Sequence, residues 1–395
     1  MILTVGAVAA GGGCVARAPD GRVVFVRHSL PGETVRVVVT SEGSTFLRAD
    51  AVEVLTASPD RVVPPCPFAG PGRCGGCDWQ HASASAQLAL KRSLVEEQLR
   101  RVARFDWDGT VQPVEPLLGW RTRVQWAISP AGRPGLHRHR SAELELVDRC
   151  LISVAASAPA GSFAPARTVE VLDVDGQLVL SADAAPTAEP ATGGLVVGGR
   201  ARRAPHGVRT EVLGRSFEVA GGGFWQVHVA APTVLASAVL SGLDPQPGES
   251  AVDLYAGVGL FASLIGERVG PTGAVLAVEG SARACADAAR NTEDQPWVKV
   301  RTAGVDVSLV RGLAARRPDV IVLDPPRTGA GLEVSAALAA LRPRALAYVS
   351  CDAGSFARDL RVFLDAGWSV TSLCAYDLYP QTEHVELVTF LRPAP

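Results

Sequence analysis

Apolar and polar residues alternate over short runs in the first 57 positions. Val23 to Val26, Thr34 to Val39 and Ala51 to Leu55 each carry the pattern, with Gly, Pro and Asp between them. Runs of that length, broken by turn residues, predict the strands of a small β-barrel. The period then changes. Leu88, Leu90, Leu94, Val95, Leu99 and Val102 recur at helical spacing and predict a helix from Ser85 to Arg104. Mixed β sequence such as Arg123 to Ile128 follows, and the Pro/Ala/Gly-rich stretches 155–166 and 181–194 read as loops. From about residue 216, short apolar runs alternate with helical patterns, which predicts a parallel sheet with helices on both faces. Its strands are expected at 251–255, 274–279, 298–302, 319–323 and 345–350, with a closing pair near 368–374 and 385–391. The expected fold is therefore α/β in three segments. These are an OB-like barrel over 1–57, a small central α+β domain over 58–215, and a Rossmann-like domain over 216–395.

Composition narrows this picture. With 47% apolar and 20% charged residues in 395, the chain has the balance of a globular protein. Charges, Pro or Gly interrupt every apolar run well short of a bilayer span, so no membrane partner is expected. The apolar start before Cys14 lacks the basic residues of a secretory leader, which points to the cytoplasm. A net charge of −2 gives no global attraction for nucleic acid, so any RNA-binding surface must be a local patch. Lys91 and Lys299 are the only lysines, so a phosphate grip falls to arginine, with Arg100, Arg101, Arg121, Arg123 and Arg138 as candidates.

Ligands of a parallel α/β sheet bind at the carboxyl ends of its strands, and the notable residues fall there. Asp253-Leu254-Tyr255-Ala256-Gly257-Val258-Gly259 follows an apolar run and opens a helix, so its glycines allow close approach to a ligand. The next strand ends in Glu279, where a carboxylate can take both hydroxyls of a ribose. Together these features describe a nucleoside site, with S-adenosylmethionine or NAD as the cofactor. Asp306 after the third strand and Asp324-Pro325-Pro326-Arg327 after the fourth favour the methyl donor. Strand 345–350 runs into Ser350-Cys351-Asp352 ahead of a helix expected from Ser355. A helix N-terminus lowers a thiol pKa, so Cys351 is expected to be a reactive thiolate. Cys285 and Cys374, inside a helix and a strand, are expected to be buried small apolar residues.

Uracil C5 takes a methyl group only after a nucleophile has added at C6, and a thiolate can do this; a base must then remove the C5 proton. Such an enzyme needs a cysteine and a base. A resemblance carries the residues further. Phe224-Trp225-Gln226-Val227, DLYAGVG, DPPRTGAG, YVSCDAGSFARDL and the closing HVELVTFL occur in the order found in the uracil-C5 RNA methyltransferase family, which the chain resembles along almost its whole length. The segment Gly6 to Val39 likewise resembles the TRAM domain, an RNA-binding module. The resemblance implies that Cys351 is the nucleophile and Glu386 the general base. It also implies that Gln226, Tyr255, Glu279 and Asp324 line the pocket for S-adenosylmethionine and the base.

Cys66, Cys74, Cys77 and Cys150 supply four thiolates, enough for zinc or for an iron–sulfur cluster. The resemblance implies a [4Fe-4S] cluster, with zinc as the alternative. It implies 5-methyluridine formation in RNA by a monomer, with 23S ribosomal RNA favoured and transfer RNA as the alternative. An amino-group methyltransferase is a rival, because Asp-Pro-Pro serves that chemistry when an aromatic residue follows; here Arg327 follows. A non-catalytic RNA-binding protein is the other.

Overall fold

The computed structural model describes residues 1–187, 190 and 192–394. Residues 188, 189 and 191, within the stretch 181–194 expected as a loop, lie outside the described residues, as does Pro395. The ends of that stretch are strand, in Gln177–Ala182 and Gly194–Val197, because their apolar side chains complete a central core.

The expected barrel is a five-stranded sheet ordered Ile2–Thr4, Thr34–Glu42, Phe46–Thr56, Val23–Arg27, Cys14–Arg17. Alternation governs it: Val24 and Val26 face inward with Leu47 and Ala49, while Phe25, Arg27, Phe46 and Arg48 face outward. The central region holds a seven-stranded mixed sheet, Arg200–Arg203 at one edge and Leu144–Glu145 at the other, and a separate hairpin of Gly207–Val212 with Arg215–Ala220.

The C-terminal sheet has eight strands, ordered Val298–Thr302, Ala274–Glu279, Ser250–Leu254, Val320–Leu323, Ala345–Ser350, Glu386–Pro393, Trp368–Asp377, Val111–Pro113. The first five are parallel, and all but the edge strand Val298–Thr302 are near-continuous apolar runs because helices cover both faces. Alternation divides each of the four inner strands between two cores. Val320, Val322, Ala345 and Ala347 pack with Leu235, Val239 and Phe261 on one face. Ile321, Leu323, Leu346 and Tyr348 pack with Leu338, Phe356 and Phe363 on the other.

Two features were not foreseen. Strand Val111–Pro113 pairs parallel to Trp368–Asp377 and extends the C-terminal sheet. The helix expected over 85–104 runs from Ala84 to Gln98 and widens into a π-turn over Leu99–Ala103, ending at Arg104 with positive φ. Its Val95 and Leu99, with Ala103 and Trp107 after it, join the second face of the C-terminal core. Among the described residues, no helix is long and apolar enough to cross a membrane.

Candidate functional site

Strand Glu386–Pro393 lies antiparallel between Ala345–Ser350 and Trp368–Asp377, with Leu387 opposite Ser350 and Glu386 opposite Tyr376. This register decides the site. The beginning of the inserted strand sits beside the end of Ala345–Ser350, so Glu386 meets the bend that carries Cys351. The two residues lie far apart in sequence and share one sheet edge because a single strand runs against its neighbours.

Cys351 is half-buried immediately before the helix Ala353–Asp365, whose N-cap Asp352 accepts from the Ser355 backbone N–H at 2.7 Å. The expected thiolate is not what this setting favours. Burial pushes the Cys351 thiol up to about 12, and Glu386 and Asp324 add to the effect, with Arg327 opposing it. A helix N-terminus contributes only a fraction of an elementary charge, and burial beside two carboxylates outweighs it. Glu386 is almost wholly buried at 3% exposure, and burial followed by Asp324 drives its pKa well above the carboxylate range. The Tyr379 hydroxyl donates to Glu386 Oε2 at 3.0 Å. Asp324 is half-buried and is raised to about 6 by that burial, while Gln226 Nε2 donates to its Oδ2 at 3.2 Å.

The loop after Val320–Leu323 is strapped to the helix after Cys351. Ser355 Oγ donates to the Arg327 carbonyl at 2.8 Å, Arg358 to that of Thr328 at 2.8 Å, and the Gly331 N–H to Asp359 Oδ2 at 3.1 Å. The Tyr348 hydroxyl donates to the same Asp359 oxygen at 2.8 Å and accepts from the Ala330 N–H at 2.9 Å. Gly329 has φ of +75°, and a Cβ there would lie 2.5 Å from Asp359 Oδ2. The loop therefore needs glycine at that position.

Glu279 closes the other end. Its carboxylate accepts from the Gly257 N–H at 3.0 Å and the Ser281 N–H at 2.7 Å, which fixes it beside the glycine turn. Asp253 lies deeper: it is fully buried and accepts from the Ala262 N–H at 2.8 Å, so it supports the turn from beneath. Tyr255 holds a φ of +62°, a strained conformation for a side chain of its size. One cavity of about 760 Å³ is lined by Gln226, Tyr255, Gly257, Glu279, Asp324, Arg327, Cys351 and Glu386, and it has room for a nucleoside and a base together.

Asp306 does not reach this cavity. Its side chain caps the helix Val307–Gly312 through the Leu309 N–H at 2.8 Å, while Gly304 and Val305 line the cavity instead. Sequence reasoning missed Tyr379 and Trp120. The Trp120 ring stacks on His228 at 5.7 Å and meets Tyr379 edge-on at 6.2 Å. No motif or spacing marks either one. Cys285 is buried as expected, whereas Cys374 is half-buried on the strand Trp368–Asp377.

Cys66, Cys74, Cys77 and Cys150 line a second, small cavity. Burial, and after it the neighbouring sulfurs, push up the thiols of Cys74, Cys77 and Cys150. Backbone N–H groups of Gly76, Ile152 and Ser153 point at sulfur, and Gln80 Nε2 donates to Cys77 Sγ at 3.2 Å. A Cβ at Gly75 would lie 2.6 Å from the His139 backbone, so the tight cysteine loop requires glycine there. Among the described residues, no group of three His, Cys, Asp or Glu side chains is arranged to hold a metal ion. In donor chemistry, an all-thiol set with N–H donors aimed at sulfur fits an iron–sulfur cluster.

Of the arginine candidates for phosphate contact, Arg123 pairs with Glu170 at 2.6 Å and Arg138 with Glu143 at 2.7 Å. Arg121 lines the large cavity, and Arg100 and Arg101 are exposed.

Comparison with known proteins bears on the family and the fold. A family model for the TRAM domain matches residues 3–52. The chain is 44% identical over 428 residues to an uncharacterized RNA methyltransferase of Streptomyces avermitilis, covering 99% of this chain and 97% of that one. It is 31% identical over 415 residues to the 23S rRNA (uracil(1939)-C(5))-methyltransferase of Methylococcus capsulatus, covering 93% and 92%. Among solved structures it resembles the tRNA (uracil-54, C5)-methyltransferase of Pyrococcus abyssi in complex with S-adenosyl-L-homocysteine. The TM-score is 0.74 and the identity 20%, over 99% of this chain and 100% of that one, a likeness of fold.

Proposed function

Because this chain belongs to the uracil-C5 RNA methyltransferase family and is an S-adenosylmethionine-dependent enzyme acting on RNA, we propose that Cys351 is its nucleophile and Glu386 its general base. The observation that carries the reading is that both line one cavity with Asp324, Gln226 and Glu279. The Cys351 thiol first loses its proton to solvent; the thiolate then adds to C6 of the uracil and the displaced ring pair forms an enolate, making C5 nucleophilic. When bound, S-adenosylmethionine supplies the electrophilic methyl group that C5 takes. Glu386 then removes the C5 proton; the C–H pair re-forms the C5–C6 double bond and the C6–S bond breaks with its pair on sulfur. Glu279 is assigned to the ribose hydroxyls of the methyl donor, and Tyr255, Gln226 and Asp324 to the walls between donor and base.

Ribosomal RNA is the proposed substrate. Two relatives, those of Methylococcus capsulatus and Pseudomonas putida, are named as acting on 23S rRNA, each at 31% identity over nine-tenths of this chain. We assign Cys66, Cys74, Cys77 and Cys150 to a [4Fe-4S] cluster, on the donor set described above. The assay supplies labelled methyl donor with undermodified ribosomal and transfer RNA. Label is expected as 5-methyluridine in ribosomal RNA, and label at an exocyclic amine or only in transfer RNA would overturn the reading. Cys351→Ala is expected to abolish transfer while donor binding persists. Glu386→Gln is expected to trap a methylated protein–RNA adduct, since addition and methylation precede the step that needs the base.

A further inference from the structure

Tyr379 is held from every side. Its hydroxyl donates to Glu386 Oε2 at 3.0 Å, and its ring stands edge-on to Trp120 at 6.2 Å and to His384 at 5.9 Å. Its carbonyl accepts from Lys91 Nζ at 3.0 Å and from Thr382 Oγ1 at 2.8 Å. Lys91 is fully buried and paired with Asp377, so the backbone that carries the tyrosine is anchored to the helix Ala84–Gln98. A hydroxyl fixed this firmly is suited to orienting what it touches.

Glu386 needs such a partner. The groups facing it are Asp324 and Arg327 from one loop, Cys351 from a second, and Tyr379 from the segment ahead of its own strand. Burial and Asp324 favour its protonated form, which cannot accept the C5 proton; Arg327 and the Tyr379 hydroxyl oppose them. A carboxylate also has two oxygens, and an unheld one samples both.

We propose that Tyr379 is a positioning residue for Glu386, its hydroxyl holding Oε2 so that Oε1 meets the C5 proton of the methylated adduct. The assignment rests on Glu386 being the base. In this step Oε1 gains the proton from C5, the C–H pair forms the C5–C6 double bond, and the C6–S pair leaves on Cys351. Tyr379 keeps its own proton throughout and stabilises the ionised base until the transfer occurs.

Tyr379→Phe removes the hydroxyl and keeps the ring. Its turnover at about pH 7 is expected to fall about tenfold, as for loss of a hydrogen bond to a charged group. KM for RNA and methyl donor should change less than about twofold, because the loss falls on a step after binding. The acid limb of the kcat profile should move up by about one pH unit, so that the deficit narrows in alkali. A methylated adduct should also accumulate on denaturing gels. An unmoved acid limb without adduct, in a variant that still binds methyl donor, overturns the proposal even if its melting temperature drops. Glu386→Gln is run beside it: an adduct there with none in Tyr379→Phe rejects the tyrosine alone, whereas none in either rejects the base assignment itself.

Discussion

A single atom, Cys351 Sγ, shows how strongly its surroundings govern its chemistry. In the resting protein burial and two carboxylates keep it as a thiol, with its pKa pushed up to about 12 from an ordinary value of 9. Raising the pKa of an acid lowers its anion fraction at neutral pH, and below the raised value that fraction grows about tenfold per pH unit. Alkylation of Cys351 by iodoacetamide, followed by mass spectrometry of its peptide in the free protein, is therefore expected to accelerate about tenfold per pH unit between pH 7 and pH 10. A rate already level by pH 9 would contradict this. The residue's position at a strand end ahead of a helix was legible in the sequence. Its protonation state was not, because Asp324 and Glu386 approach it through tertiary structure alone.

Among the elements, the parallel strands were the most legible because burial on both faces makes them continuous apolar runs such as Val320–Leu323 and Ala345–Ser350. Val111–Pro113 was not, since a three-residue strand carries no periodicity and pairs with a partner far along the chain. The helix Ala84–Gln98 was legible as a helix, but its destination was not. Lys91 shows why: a lysine within an apolar stripe reads as solvent-facing, yet it is wholly buried against Asp377, far away in sequence. Lys91→Met leaves that carboxylate unpaired and is expected to cost about 3–5 kcal/mol of stability. Adding Asp377→Leu is expected to restore most of it, because the double variant buries no lone charge. Chemical denaturation of the two variants tests this; a double variant no more stable than the single would show that the pair acts by something other than charge balance.

At the scale of the whole molecule, three segments meet at the stretch ahead of Glu386. The Gly11 N–H donates to Glu383 Oε2 at 2.5 Å, and Trp79 Nε1 to the Gly12 carbonyl at 2.8 Å. The Asp78 and Trp79 N–H groups donate to the Gln381 carbonyl at 2.9 and 3.0 Å. The cysteine segment is thus bonded both to the N-terminal sheet and to the stretch leading into Glu386. Protein purified without oxygen is expected to contain iron and inorganic sulfide and to lose both in Cys74→Ser, as measured by elemental analysis. Zinc in their place, or no metal, would reject the cluster. The cysteine set was visible in the sequence as a donor list, but its bonding to the stretch ahead of Glu386 came only from the fold.

The antiparallel strand Glu386–Pro393 also sets the order in which the sheet is completed. A chain emerging from the ribosome presents Ala345–Ser350 and then Trp368–Asp377, and in the finished sheet these are not neighbours. Until the later strand slides between them, each keeps an open edge that invites pairing with other chains. The same late arrival brings the carboxylate to the thiol. The nascent chain therefore passes through an interval in which it is most prone to aggregate and has no chemistry to offer, and one strand ends both conditions together.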